Sequence, residues 1–251
     1  MATNKIALVT GAASGIGRAS ASRFVKRNIT TVMLDRSPEV MAVADEFNSS
    51  GHTAIGHVVE LTDAAALQTC LDGLLSEHGA IDIIVNNAGI HPKKAGGKFL
   101  VEEISLADWQ RVMAVNLNAP FQICAALLPA MKAKGWGRVV NISSSGARRR
   151  PVVPSSHYIA SKSGIIGLTR CIAEEGARQG ITANAICPGP IKTGLTTSSS
   201  PEAIARLTAE IPVGRYGEPD EIAAMVEFLV SDDASFVTGA VIDVNGGSAM
   251  A

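Results

Sequence analysis

A glycine-rich turn between an apolar run and a helical pattern near the N-terminus constrains the fold more than any other feature. Residues 5–9 have the length and branched side chains of a buried parallel strand, and residues 18–27 have a helical pattern. Between them, small side chains let another molecule approach the backbone, and free amide groups at the helix start attract phosphates. The sequence predicts a dinucleotide phosphate site that contains Gly11, Ser14, Gly15, Ile16 and Gly17.

The spacing of these glycines leaves one alternative open. It is Gly-xxx-Gly-x-Gly instead of Gly-x-Gly-x-x-Gly, and a flexible strand-to-helix loop would have a similar composition. A P-loop is excluded, because no Lys-Ser or Lys-Thr pair follows the glycines.

Strand and helix patterns alternate along the whole chain. Strands are predicted near residues 5–10, 30–35, 54–59, 81–86, 138–143, 181–187 and 240–244. This alternation is typical of an α/β fold, a Rossmann-like doubly wound parallel sheet of about seven strands with helices on both faces. No linker or charge block divides the 251 residues, so residues 1–251 are predicted to form a single domain. Small polar residues at 196–200 suggest a mobile loop.

Composition excludes several classes of function. The net charge of −1 offers no general attraction to nucleic acid or to anionic membranes, and the 47% of hydrophobic residues can form a large core. We find no signal peptide and no apolar run long enough to span a bilayer, which predicts a cytoplasmic protein. The four cysteines are widely separated and lack metal-ligand spacing, so we expect buried, reduced thiols and no metal site.

An acidic residue follows the second predicted strand, about twenty residues after the glycine turn. Asp35 can accept hydrogen bonds from the adenosine ribose hydroxyls, and its charge would repel the 2′-phosphate of NADP. This favours NAD as the cofactor. Arg36 comes next and could turn toward such a phosphate, which leaves NADP open. A solvated acid at a strand end is the simpler alternative for Asp35.

Tyr158 and Lys162 are four residues apart and therefore share one face of a predicted helix. Their separation along the helix axis is about 6 Å, and an opposite charge within about 4 to 6 Å lowers the pKa of a phenol. Tyrosine would then exchange protons near neutral pH. A serine cluster at residues 143–145 precedes the pair.

Taken together, six spaced motifs resemble those of the short-chain dehydrogenase/reductase family, and the similarity covers residues 5–247. The motifs are Thr10-Gly11-xxx-Gly15-x-Gly17, Asn86-Asn87-Ala88-Gly89, Asn116, Ser143-Ser144, Tyr158-xxx-Lys162 and Pro188-Gly189. The resemblance implies a Rossmann-like fold, a nicotinamide cofactor, hydride transfer to or from an alcohol or ketone carbon, and a homotetramer or homodimer. Among members of the family, the sequence most resembles 3-oxoacyl-(acyl carrier protein) reductases and sugar, polyol and hydroxysteroid dehydrogenases.

The resemblance also implies roles for individual residues. Tyr158 would transfer the proton, Lys162 would hold the nicotinamide ribose, Ser144 would polarise the substrate oxygen, and Asn116 would hold water in a proton relay. Further cofactor contacts are implied at Glu60, Leu61, Asn87, Ala88, Gly89, Pro188, Gly189, Ile191 and Thr193. Glu60 departs from the Asp or Asn of many relatives, which puts its side-chain contact in doubt.

The spacing between the catalytic serine and Tyr158 is a second departure from the family pattern. Counted back from Tyr158, Ser145 has the common spacing, whereas alignment on the preceding strand selects Ser144. We prefer Ser144, because a strand fixes position more rigidly than the loop that follows it.

The substrate is expected to be a small alcohol or ketone, and the candidate residues are Ser145, His91, Arg150 and His157. An arginine of residues 148–150 could hold a carboxylate or phosphate, although a solvated loop or an interface ion pair is the simpler alternative. The runner-up function is an NADPH-dependent 3-oxoacyl-(acyl carrier protein) reductase, against which Asp35, Gly135 and Gln179 argue. A noncatalytic dinucleotide sensor is the remaining alternative.

Overall fold

The computed structural model describes residues 5–94, 97–149, 154–194 and 201–250. Seven strands form one parallel sheet in the order β3-β2-β1-β4-β5-β6-β7. The strands are β1 (Ile6–Thr10), β2 (Thr30–Asp35), β3 (Ala54–Val58), β4 (Ile83–Asn86), β5 (Gly137–Ile142), β6 (Ile181–Pro188) and β7 (Val241–Val244). This confirms the predicted fold class and places all seven strands within about two residues of the expected positions.

The main helices, in chain order, cover both faces of the sheet. They are α1 (Gly15–Lys26), α2 (Glu39–Ser49), α3 (Ala64–His78), α4 (Leu106–Met113), α5 (Ala119–Lys134), α6 (Ser156–Gly176), α7 (Pro201–Ala209) and α8 (Pro219–Leu229). A π-helical turn, Ala114–Asn118, joins α4 to α5, and a 3₁₀ turn, Ser145–Ala147, follows β5.

Alternate residues of each strand face opposite sides of the sheet, and this divides the core into two clusters. Ala7 and Val9 of β1 pack with α1, α2 and α8, while Leu8 packs with α3, α5 and α6 on the other side. Because both faces are covered, the five inner strands are buried along most of their length, whereas the edge strands β3 and β7 are mostly half-buried.

One continuous helical stretch, Leu106–Lys134, is long and apolar enough to cross a membrane by length and composition alone. Asn116, Asn118 and Gln122 interrupt its apolar sequence, and core helices that pack inside a protein meet the same two criteria. Ile123, Leu127 and Met131 of this stretch are fully buried in the core, as in a helix that packs on a sheet.

The cysteines depart in part from the expectation of buried thiols. Cys124 and Cys187 are buried, Cys70 is half-buried and Cys171 is exposed. Cys171 lies on α6 with its side chain on the solvent side, so helix periodicity rather than residue type decides its exposure. Within the described ranges no group of three metal-ligating side chains comes together.

Candidate active site

A cavity of about 570 Å³ opens at the carboxyl ends of the strands. The sheet order reverses between β1 and β4, and the turns after these two strands lie side by side there. Ligands bind at this point in doubly wound sheets. Predicted site residues that line the cavity are Gly11, Ser14, Gly15, Ile16, Asp35, Arg36, Glu60, Leu61, Asn87, Ala88, Gly89, His91, Ser144, Ser145, Tyr158, Lys162, Pro188, Gly189, Ile191 and Thr193.

The glycine turn is shaped by a close approach of its own backbone. A Cβ on Gly17 would lie 2.1 Å from the carbonyl oxygen of Gly11, so only glycine fits at this position. Gly11 itself has a φ of +66°, in the left-handed region. The Asn87 side chain donates to the carbonyl oxygen of Thr10, 2.9 Å away, and so ties the turn to the end of β4. The turn leads directly into the N-terminus of α1, where Ser14 is the N-cap residue without a side-chain cap bond.

The Asp35 carboxylate at the end of β2 holds the same turn from the other side. It accepts hydrogen bonds from the backbone N–H of Ala13 at 3.0 Å and of Ser37 at 2.9 Å. A carboxylate can accept about four hydrogen bonds, so lone pairs remain for ribose hydroxyls. Arg36 is exposed beside it, and Glu60 is exposed and accepts from the backbone N–H of Thr62 at 3.1 Å.

Tyr158 lies in the first turn of α6 and lines the opposite end of the cavity. Burial raises the pKa of its phenol above 10, and the hydroxyl of Ser144 opposes this shift by favouring the phenolate. Tyr158 is therefore a neutral phenol at pH 7.

Lys162 follows one turn later and is 4% exposed. Its ammonium group donates to the carbonyl oxygen of Ile142 at 2.7 Å and lies 6.0 Å from the centre of the Tyr158 ring. Burial lowers the pKa of Lys162 to about 8. Among the described residues it pairs with no carboxylate, and a buried cation without a counter-charge favours hydroxyl and carbonyl oxygens of a ligand.

The sequence predicts that Lys162 lowers the pKa of Tyr158, and the structure does not agree. The pKa of Tyr158 is raised, and the group that acts against burial is Ser144. Helix spacing alone does not reveal the loss of hydration at both side chains or the hydrogen bond of the ammonium group to Ile142.

The structure separates Ser144 from Ser145. Ser144 caps the 3₁₀ turn, accepts from the backbone N–H of Gly146 at 3.1 Å, and acts on the Tyr158 phenol. Ser145 begins the turn and is 4% exposed. Both serines line the cavity, and the choice of Ser144 for substrate binding stays a prediction.

Asn116 lies in the π-helical turn and is 1% exposed. Its side chain accepts from the backbone N–H of Ile90 at 2.8 Å, donates to the carbonyl oxygen of Ile90 at 3.0 Å, and donates to the hydroxyl of Ser161 at 3.0 Å. Its hydrogen-bonding atoms thus clamp the loop after β4 to α6. Asn116 is not among the described residues that line the cavity.

Comparisons with known proteins agree with this geometry. Residues 11–249 match the family model described as enoyl-(acyl carrier protein) reductase. The 3-oxoacyl-(acyl carrier protein) reductase FabG of Salmonella typhimurium is 36% identical over 247 residues, which cover 98% of this chain and 98% of that protein. The chain belongs to the short-chain dehydrogenase/reductase family. It is an NAD(P)-dependent oxidoreductase.

Two solved structures illustrate the relationship. A 3-oxoacyl-(acyl carrier protein) reductase from Brucella melitensis with bound NAD is 38% identical, has a TM-score of 0.91, and the match covers 98% of this chain and 92% of that chain. A protein from Beutenbergia cavernae assigned as an NAD(P)-dependent gluconate 5-dehydrogenase, with bound NADP, is 36% identical with a TM-score of 0.91. That match covers 97% of this chain and 96% of that chain. Because the relatives bind either nucleotide, the comparisons do not support the expected preference for NAD.

The predicted substrate residues fall into different places. His91 lines the cavity and stacks on Tyr158, with ring centroids 4.3 Å apart. His157 is fully buried behind Tyr158, where its Nδ1 accepts from the backbone N–H of Tyr158 at 2.9 Å, and it is not among the described lining residues. A residue next to Tyr158 on a helix points away from it, which explains this outcome. Arg150 lies outside the described residues, as does the predicted loop at 196–200.

The neighbouring arginines are held by the C-terminal part of the chain. Arg148 forms an ion pair with Asp243 at 3.3 Å and donates to the carbonyl oxygen of Val241. Arg149 lines the cavity and donates to the carbonyl oxygen of Ser248 at 2.6 Å. Arg148 therefore forms an ion pair within the chain, which differs from both simpler alternatives, a solvated loop and an ion pair at a subunit interface.

Sequence reasoning missed three residues that shape the site. Thr10 accepts from the backbone N–H groups of Asn87 and Ala88, both at 3.0 Å. Ser161 connects Asn116 to α6, and Tyr216 contributes to the cavity wall. The position of Thr10 directly before Gly11 was a usable signal. Tyr216 comes from a distant loop, which no local pattern reveals.

Proposed function

We propose that this enzyme transfers a hydride between NAD and a secondary alcohol or ketone carbon of a small polar substrate, such as a sugar, polyol or hydroxy acid. The observation that carries the proposal is the arrangement of Ser144, Tyr158 and Lys162 around one end of the cavity. The glycine cradle, Asp35 and the buried cation of Lys162 fit a dinucleotide with two ribose groups. When bound, the nicotinamide accepts or supplies the hydride.

Each residue has a separate task in this proposal. Ser144 donates a hydrogen bond to the substrate oxygen and stabilises the negative charge that develops there. Tyr158 donates a proton to that oxygen during ketone reduction and takes one from the hydroxyl during alcohol oxidation. Lys162 holds ribose hydroxyls, and Asn116 keeps the loop beside it in position.

A panel of alcohols and ketones, followed at 340 nm with both nicotinamide cofactors in both directions, tests this function. Sugar acids, polyols and hydroxy acids should give turnover with NAD(H). An enzyme that binds NADH but turns over no member of the panel would instead support the noncatalytic sensor.

The preference for NAD is supported by the Asp35 carboxylate, which lines the cavity and would repel a 2′-phosphate. Replacing Asp35 by Ser removes this charge and frees the N–H groups of Ala13 and Ser37, next to exposed Arg36. The ratio of the NADP to the NAD dissociation constant should fall by at least tenfold in Asp35→Ser, measured by nucleotide fluorescence. Glu60→Gln, which removes another carboxylate from the same end, should change the ratio much less. Equal effects would rule out a specific role of Asp35.

A 3-oxoacyl-(acyl carrier protein) reductase with NADPH is the second candidate, because the Salmonella relative has that name and matches 98% of the chain. Carrier-protein reductases usually have basic residues just before the fifth strand. Against this candidate, the basic residue at the start of β5 is Arg138, which is 3% exposed and whose side chain donates to the carbonyl oxygen of Gly180 and lies near Asp232. Reduction of an acetoacetyl thioester with NADPH at a higher kcat/KM than any small ketone would favour this candidate.

We infer that residues 1–251 form one domain and that the enzyme is a cytoplasmic homodimer or homotetramer. Phe236 and Phe228, which precede β7, are 100% and 45% exposed, and exposed aromatic surface is typical of protein contacts. Light scattering after size exclusion tests the assembly. A monomeric mass at micromolar concentration would contradict it.

A further inference from the structure

The imidazole of His91 occupies an unusual place beside the proton donor. Its ring lies against the Tyr158 ring with centroids 4.3 Å apart and planes inclined by 30°. Both side chains line the same end of the cavity as Ser144. A ligand whose reacting oxygen meets Tyr158 and Ser144 therefore passes directly beside His91.

The Nε2 atom of His91 is buried and has no hydrogen-bond partner among the described residues. Buried polar atoms nearly always have a partner, so one without any points to a ligand or to water. A half-turn of the ring exchanges Nε2 with Cε1 in the same space, so the nitrogen can turn to either edge without steric cost.

The backbone directly before His91 is fixed by hydrogen bonds from a buried side chain. Asn116 fixes both backbone groups of the preceding residue, Ile90, at 2.8 and 3.0 Å. Burial, together with Lys93 and His157, lowers the pKa of His91 to about 4, so the ring is neutral at pH 7. A neutral imidazole donates from one nitrogen and accepts at the other, which suits a hydroxyl or carbonyl group.

We propose that His91 determines substrate specificity by hydrogen bonding to a second oxygen of the substrate, on the carbon next to the reacting carbon. The inference rests on the proposed hydride transfer at Tyr158, since Tyr158 and Ser144 already bind the reacting oxygen. The substrate class is then a vicinal diol and its hydroxyketone, the pattern found in polyols, sugars and sugar acids. A simple ketone would leave the imidazole without a partner.

Two matched probe pairs test this inference. Reduction of 3-hydroxy-2-butanone and of 2-butanone with NADH compares turnover with and without the second oxygen. Binding of 2,3-butanediol and of 2-butanol to the NADH-loaded enzyme, measured by saturation-transfer NMR, makes the same comparison without turnover. The wild type should prefer the probe with the second oxygen by roughly tenfold, the size of one neutral hydrogen bond.

Three variants assign the preference to His91. His91→Phe keeps a ring on Tyr158 and should lose most of the preference, while His91→Gln keeps a donor and should retain part of it. His57→Phe is the matched control, because His57 on β3 also has a buried Nε2 without a partner in the described structure but does not line the cavity. NADH affinity should be the same in all three variants, which shows that each is folded.

The outcomes separate this inference from the proposed function. Equal or undetectable binding of the two alcohols to the wild type would overturn the role of His91, as would a full preference in His91→Phe. A binding preference that depends on His91, without turnover of any probe or any member of the wider panel, would support the inference and contradict hydride transfer.

Discussion

Lys162 holds its ammonium group 6.0 Å from the centre of the Tyr158 ring. Its hydrogen bond goes to the carbonyl oxygen of Ile142, and the effect of burial on the pKa of the phenol is opposed by Ser144 and not by the lysine. The pKa of Tyr158 therefore stays raised, and the side chain keeps its proton at pH 7. A helix spacing of four residues brings two side chains to one face, but their environment decides which protonation state results.

Replacing Tyr158 by Phe should remove the proton donor while keeping the ring that His91 contacts. We expect kcat to fall by about 10² to 10⁴, the usual contribution of general acid–base catalysis. The NADH dissociation constant, measured by fluorescence on the same samples, should stay close to the wild-type value. Substantial residual turnover would assign proton transfer to another group.

Separate substitutions of Ser144 and Ser145 by Ala test which hydroxyl polarises the substrate. Ser144→Ala should lower kcat by about 10² to 10³, as expected for the loss of one donor to a developing oxyanion. Ser145→Ala is the matched control, with the same chemical change one residue away, and should retain most of the activity. A reversed order of the two kcat values would move the role to Ser145.

The pH dependence of stability should report on the buried Lys162. Burial lowers its pKa from 10.5 to about 8, so between these values the unfolded chain binds a proton that the folded chain has released. Through that range this group makes the free energy of unfolding rise with pH, whereas below pH 8 the folded protein carries the buried charge at full cost.

Lys162→Met removes both the charge and its titration. The Tm of this variant minus the Tm of the wild type, without cofactor, should be largest near pH 7 and should decrease toward pH 10. Lys26→Met, an exposed position on α1, is the control and should show no such trend. A difference that does not change with pH would mean that Lys162 is not the group that titrates.

Substitution of Gly17 by Ala tests how closely the backbone of the glycine turn is packed. Because an added Cβ would lie 2.1 Å from the carbonyl oxygen of Gly11, Gly17→Ala should displace the backbone. We expect a loss of about 1 to 3 kcal/mol in the free energy of unfolding, measured in urea, and weaker NADH binding. Gly73→Ala on α3 is the opposite case, since nothing lies within 4 Å of its added Cβ. It should raise stability by about 0.5 to 1 kcal/mol. Equal changes in stability for Gly17→Ala and Gly73→Ala would contradict the close approach of Gly17 to the carbonyl oxygen of Gly11.

The cofactor half of the cavity could be predicted from sequence because short, local segments build it. Gly11 follows β1 directly, Gly15 begins the next helix and Asp35 ends β2, and parallel strands bring their carboxyl ends to one edge. The substrate half could be predicted only in part. His91 and His157 looked equivalent along the chain, yet one lines the cavity and the other is buried behind the helix.

The alternation of strands and helices, the glycine spacing and the six motifs determined the fold class, the family and the edge of the sheet at which the site forms. These properties depend on local backbone preferences and on the periodic burial of side chains, which a sequence displays directly. Only the tertiary structure showed the burial of Tyr158, the effect of Ser144 on its phenol, the clamp of Asn116 on Ile90 and the stacking of His91. Those depend on dehydration and on contacts between segments far apart in the chain, and neither follows from spacing alone.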